Sequence, residues 1–142
     1  MKTINHLLQG KGNEVWSVSP EASVLDAMRL MAEKEIGALL VMEDAELVGV
    51  ISERDYARQV ILKGRASSDT PVRQIMTSRV VYVSPAQTVE ECLALMTDKR
   101  VRHLPVMESD AVVGVLSIGD LVKAVIAEQQ FTIQQLERYI GR

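Results

Sequence analysis

The sequence holds one cysteine, one tryptophan, one phenylalanine and two histidines in 142 residues, and these scarcities exclude whole classes of explanation. Cys92 alone can form neither an internal disulfide nor a multi-cysteine zinc site, and His6 and His103 stand too far apart to form a local metal motif. No structural metal is expected. No apolar run approaches the length that spans a bilayer, and the first ten residues lack the apolar core of a signal peptide, so the expected location is cytoplasmic. Positive charge is not in excess: 16 Lys and Arg against 19 Asp and Glu give a formal net charge of -3. That balance offers no general attraction to nucleic acid or to anionic lipid, and neither is an expected partner. P-loop and Rossmann glycine fingerprints are missing, as is any serine, cysteine or metal-centred constellation with a convincing base. No catalytic residue is assigned, and the chain is not expected to be an enzyme.

What the sequence does have is a globular composition, 47% hydrophobic and 25% charged, and an internal repeat. Shifted by 65 residues, Val15 to Val60 match Val80 to Val125 without a gap, with about 18 of 46 paired positions identical. Val18-Ser19-Pro20 recurs as Val83-Ser84-Pro85, Val41-Met42-Glu43 as Val106-Met107-Glu108, and Val48-Gly49-Val50 as Val113-Gly114-Val115.

Each copy changes its hydrophobic period in the same order. A short extended segment leads to Ser-Pro. Then Val24, Ala27, Met28 and Met31 fall at helical spacing, as do Val89, Cys92, Leu93 and Met96. Two strand-length apolar runs follow, Ala38 to Met42 and Leu47 to Ile51, repeated as Leu104 to Met107 and Val112 to Leu116. Pro105, standing where copy one has Leu40, predicts a strand edge or an irregular backbone. A second helix starts at Ser52 or Ser117; the first ends near Gly64 and the second runs on toward Tyr139. Thr70-Pro71 predicts an N-cap and first helical position for a short linker helix through Met76.

The fold expected is therefore α+β. Two β-α-β-β-α repeats pack sheet to sheet about a pseudo-twofold axis, since neither has enough strands to bury its apolar face alone. The divisions are an N-terminal segment 1–14, repeats 15–63 and 80–127, a linker 64–79 and a C-terminal helical extension 128–142, whose Phe131, Leu136 and Ile140 suit a dimer contact.

The sharpest constellation is Gly49-Val50-Ile51-Ser52-Glu53-Arg54-Asp55, repeated as Gly114-Val115-Leu116-Ser117-Ile118-Gly119-Asp120. At a strand-to-helix junction each serine stands beside unpaired N–H groups and the positive end of the helix dipole, a favourable place for a phosphate. One turn on, the aspartate can accept from vicinal ribose hydroxyls. The same S-x-x-D spacing is also a variant of the capping box, needed only to start a helix. The two roles can coexist.

The pattern met in both copies, Ser-Pro, helix, hydrophobic hairpin and G-h-h-S-x-x-D, resembles the CBS domain family from Val15 to about Val125, in the form of small stand-alone two-CBS proteins (Bateman modules). The resemblance implies a regulatory module binding an adenosine-containing ligand in clefts between the repeats: AMP first, with ATP, ADP, NAD(H) or S-adenosylmethionine as alternatives. Carried over by position, Asp55 and Asp120 are ribose candidates and Ser52 and Ser117 phosphate-side hydroxyls. Adenine lies against Val18 or Val83 and the strand starts Gly37-Ala38 or Arg102-His103. Arg54 adds a donor beside Ser52. Arg102 is equally explained as a solvated strand edge, His103 as a satisfied core histidine, and Trp16 as packing at the repeat boundary rather than a base-stacking ring. The output of such a sensor passes through a homodimer or an effector protein the sequence does not identify. The competing reading is an adaptor that binds no ligand.

Overall fold

The computed structural model describes residues 2–141. It is a mixed α/β structure with two small sheets, dividing into two compact units: Val15–Val81, and residues up to Glu14 together with Tyr82 onward.

In the first unit, β1 (Ser17–Val18) leads to α2 (Val24–Lys34), then to β2 (Ala38–Glu43) and β3 (Glu46–Ser52). The helix preceding them, α1 (Ile4–Lys11), belongs to the other unit. Ser23 caps α2 by accepting the Asp26 N–H. Val24, Ala27 and Met31, spaced for one face, are buried against Leu39, Val41 and Ile51. The sheet order is β1-β2-β3, with β1 parallel and β3 antiparallel to β2.

The second unit repeats this plan. Thr88 caps α4 (Val89–Lys99), with Glu91 returning a bond to the Thr88 N–H. Then β4 (His103–Glu108) and β5 (Ala111–Ser117) pair antiparallel, with the same one-residue irregularity after Val106 that β2 shows after Val41. Both first helices end on a residue in the left-handed region, Glu35 (φ 55°) and Arg100 (φ 56°), where glycine is the usual occupant.

The copies differ where sequence chemistry differs. In the first, Leu40 donates its N–H to the Trp16 carbonyl at 3.3 Å; its counterpart Pro105 has no N–H, and the leading strand shrinks to a single bridge, Val83 with Val106. The helix after Ser52 is one α turn, α3 (Glu53–Tyr56), which widens into a π turn over Ala57–Ile61 and stops by Gly64 (φ 67°), whereas α5 (Ile118–Ile140) continues for 23 residues.

The linker is a correction to the expected helix. Val72–Gln74 form a single 3-10 turn, and Pro71 rather than Thr70 stands at the cap position; the Thr70 hydroxyl, buried, donates instead to the Ala66 carbonyl at 2.8 Å. Its counterpart is the N-terminal segment. Val72 N–H to Ala22 O, Arg73 N–H to Pro20 O and Val24 N–H to Thr70 O in the first unit are matched by Ile4 to Gln87, Asn5 to Pro85 and Val89 to Lys2 in the second. Residues 2–8 thus do for the second repeat what 70–76 do for the first, with Ile4 and Val72 both fully buried.

Candidate functional site

Both Ser-x-x-Asp motifs fall where the second hairpin strand turns into a helix, and both form the complete capping box. Ser52 Oγ accepts the Asp55 N–H at 3.2 Å, while Asp55 Oδ2 accepts from the Ser52 N–H at 2.9 Å and the Ser52 hydroxyl at 3.0 Å. In the second unit the same three bonds measure 3.2, 2.7 and 3.0 Å. Capping is therefore one role of these residues.

The closed box limits what remains for a ligand. Each serine hydroxyl already donates to its aspartate, and the first helical N–H is taken by a neighbouring carbonyl: Glu53 by Gly37 at 3.0 Å, Ile118 by Arg102 at 2.9 Å. The box bonds that the carboxylates accept all fall on Oδ2, and none engages Oδ1. A carboxylate oxygen on a half-buried residue in the first turn of a helix is suited to accept from hydroxyls.

The expected site residues divide by unit. Ala38 stands opposite Ser52 in the β2–β3 register, and Gly37 is held to Glu53, so Gly37, Ala38, Ser52, Arg54 and Asp55 are contiguous, with Arg54 exposed. In the second unit His103 stands opposite Ser117 and Arg102 is bonded to Ile118, which gathers Arg102, His103, Ser117 and Asp120. His103 is half-buried and Arg102 exposed. Val18 and Val83 are not beside these groups: Val18 pairs with Val41 on β2 and Val83 with Val106 on β4, so one strand, at about 5 Å per spacing, stands between each valine and the strand that leads into its aspartate's helix. An open hollow of about 530 Å³ in the first unit has Met31, Glu35, Gly37, Glu53 and Tyr56 among its walls; it flanks the box without including Ser52 or Asp55. Trp16 is covered on one face by Lys34, whose Nζ lies 4.2 Å from the ring centroid.

One further side chain stands at the second box. Lys11, at the end of α1, donates from Nζ to Asp120 Oδ2 at 2.7 Å and to the Val115 carbonyl at 2.5 Å. Burial alone would push the Asp120 carboxyl up, but the Lys11 hydrogen bond, the Ser117 N–H, the Lys11 charge and the Ser117 hydroxyl together outweigh it and hold the group below the ordinary carboxylate range. Asp55 has only Ser52 as a hydrogen-bond partner among the described residues. The signal for Lys11 exists in the sequence: residues 2–11 align with 70–79 at an offset of 68. Three extra residues, Gly12 to Glu14, separate that offset from the 65 of the main repeat.

The sole cysteine is fully buried on α4, and burial first, then the Glu91 charge, push its thiol up to about 11. It is a core residue rather than a nucleophile at neutral pH. No helix among the described residues is long and apolar enough to cross a membrane.

The chain is similar to known proteins in sequence and in fold. The chain is 38% identical over 148 residues to the mitochondrial CBS domain-containing protein CBSX3 of Arabidopsis thaliana, covering 97% of this chain and 71% of that one. It superposes on the solved structure of a protein with CBS domains from Burkholderia ambifaria with a TM-score of 0.87 and 50% identity, over 93% of this chain and 99% of that chain. The CBS domain pair of protein MJ0100, solved with 5′-methylthioadenosine and S-adenosyl-L-methionine, shares the fold at a TM-score of 0.80 over 90% of this chain and 98% of that one, with 18% identity. The family match itself falls on residues 13–61 and 72–127, one on each copy of the repeat, and the chain belongs to the CBS domain family as a tandem pair.

Proposed function

We propose that this CBS pair is a regulatory module that binds an adenosine-containing ligand and passes its occupancy to a partner. The observation that carries the reading is the duplicated Ser-x-x-Asp box with one carboxylate oxygen, Oδ1, outside the box bonds in each unit. The ligands of the MJ0100 pair lend it support as a matter of chemical class. Asp55 and Asp120 accept from the ribose hydroxyls. Ser52 and Ser117 hold the carboxylates in place and stand on the phosphate side with Arg54. The base lies toward Val18 with Gly37-Ala38, or toward Val83 with Arg102-His103. AMP is the first ligand to test.

The role is binding rather than catalysis, and the output is differential: a ligand that favours one arrangement of the chain favours whatever partner binds that arrangement. A second copy of the chain is the partner placed first. Along α5, Ile126, Ile133 and Ile140 alternate at 3.5-residue spacing with Val122, Gln129 and Leu136, all of them exposed, which is the heptad form of a helix that pairs with its own kind.

A thermal-shift series with AMP, ADP, ATP, NAD, NADH and S-adenosylmethionine, on the wild type and on Asp55→Ala and Asp120→Ala, tests the reading. A ligand that binds only the folded chain raises its melting temperature. A shift with one adenosine compound that is lost in one of the two variants is the expected result. No shift with any compound would favour a ligand-free adaptor, a reading supported by the fact that both boxes cap their helices without assistance.

A further inference from the structure

We propose that Lys11 is a specificity-determining residue, making the Asp120 site select adenosine ligands that carry a phosphate over the uncharged nucleoside. The inference rests on the reading of Asp120 as the ribose acceptor.

The ammonium of Lys11 is held in place from both sides. Its backbone is fixed because α1 is anchored through Ile4 and Leu8, 0% and 5% exposed, and its Nζ bridges Val115 O and Asp120 Oδ2. An ammonium has three donors, so this bridge leaves one for a further acceptor. A ribose diol arriving at Asp120 meets a carboxylate already shared with a cation. With a neutral nucleoside, hydroxyls at Oδ1 draw on a carboxylate charge that Oδ2 already shares with the ammonium, which has no other ion-pair partner among the described residues and gains none. With a nucleotide, the third donor, or the whole ammonium swung a short distance about its flexible stem, meets a phosphate oxygen. A charge-assisted bond then replaces or augments the one that was shared.

The first repeat lacks the device, which makes it an internal control. The residue at the position of Lys11 there is Arg79, and the carbonyl equivalent to that of Val115, on Val50, is occupied by the Thr77 N–H at 2.9 Å. Asp55 receives no cation among the described residues. The two sites therefore differ in ligand preference: the Asp120 site discriminates by phosphate charge through Lys11, and the Asp55 site, whose carboxylate holds no cation among the described residues, lacks that discrimination.

The test is calorimetric titration of AMP and of adenosine into the full chain carrying Asp55→Ala, so that the second site is read alone, with Lys11 intact, Lys11→Met or Lys11→Arg. Lys11 is an exposed residue, and circular dichroism confirms that each variant folds. With Lys11 intact, AMP binds more tightly than adenosine by about tenfold or more, a difference of about 1.4 kcal/mol. Lys11→Met lowers AMP affinity by a similar factor and leaves adenosine binding unchanged or tighter; Lys11→Arg retains the AMP preference. An AMP-to-adenosine ratio that Lys11→Met leaves unaltered, in a site whose binding is abolished by Asp120→Ala, would overturn the role of Lys11 while leaving the ribose role of Asp120 standing. Absence of binding by either ligand in every variant would overturn the ribose role and the inference with it.

Discussion

Asp55 and Asp120 occupy the same position in the same capping box, yet one answers only to its serine and the other also carries the ammonium of a residue more than a hundred positions away in sequence. The difference does not originate in the box. It originates in the segment that docks beside each hairpin. Thr3 accepts the His6 N–H and starts a helix of eight residues that delivers Lys11 to Val115 O. Pro71, at the matching place, has no hydroxyl to cap with; its segment makes a single 3-10 turn, and β-branched Thr77 then pairs in extended form with Val50. Two copies with a common core can thus acquire different site electrostatics through their flanking segments alone.

That comparison can be broken most severely at the docking segments. If residues 2–11 are part of the second repeat's core, Ile4→Ala should destabilise the chain by about 2 to 5 kcal/mol in urea unfolding, the range for emptying a fully buried site. The matching Val72→Ala should act in the same direction on the first unit. An Ile4→Ala effect near zero would make α1 a mere appendage.

The glycines under those segments come next. A Cβ on Gly49 would lie 2.6 Å from Met76 Sδ and 3.0 Å from the Thr77 carbonyl oxygen, and one on Gly114 would lie 2.7 Å from Leu8 Cδ2. Each Gly→Ala substitution should cost about 1 to 3 kcal/mol by overpacking. Gly49→Ala should be the worse, because backbone as well as a side-chain end stands in its way. Melting curves of the two single variants rank them directly.

Smaller and more nearly equal effects belong to the boxes. Ser52→Ala and Ser117→Ala should each remove about 1 kcal/mol as lost caps, and a marked inequality between them in chemical denaturation would show that the boxes are not equivalent as caps.

The smallest effect on stability, and the most specific, is that of Lys11→Met. An exposed ion pair contributes roughly 0 to 1 kcal/mol, but the Asp120 carboxyl should titrate higher when its cation is gone. Because its folded value is lowered, the stabilisation it brings is present above the ordinary aspartate value near 3.9 and is lost as pH falls through the lowered one. Lys11→Met should narrow that acid window, and carboxyl carbon NMR titration of Asp120 reads the change. An unshifted titration would remove Lys11 from the site.

Much of this was legible in the residues. The ungapped offset of 65 gave both repeats. Val24, Ala27 and Met31, with Val89, Cys92 and Met96, marked the buried helical faces, and the Ser-x-x-Asp spacing marked both helix starts. Pro105 marks a strand edge or irregular backbone, because a missing N–H is a local property that sequence states outright; the reduction of the neighbouring leading strand to one bridge is its tertiary consequence. The docking of residues 2–11 is hidden in the sequence, since three extra residues shift its register and a tertiary contact between distant segments leaves no periodic trace. The π turn at Ala57–Ile61 likewise follows from packing rather than from any residue with a strong backbone preference. The cap at the linker moved by one residue because Thr70 found a buried partner in the Ala66 carbonyl.

Whether adenosine ligands bind at the two Ser-x-x-Asp boxes is read by amide chemical-shift mapping on the wild-type chain during titration with AMP. Saturable shifts are expected to concentrate on Gly37 to Ala38 with Ser52 to Asp55, on Arg102 to His103 with Ser117 to Asp120, or on both sets. Saturable shifts that leave Ser52, Asp55, Ser117 and Asp120 unmoved, or none at all at saturating AMP and at saturating S-adenosylmethionine, would contradict binding at the boxes.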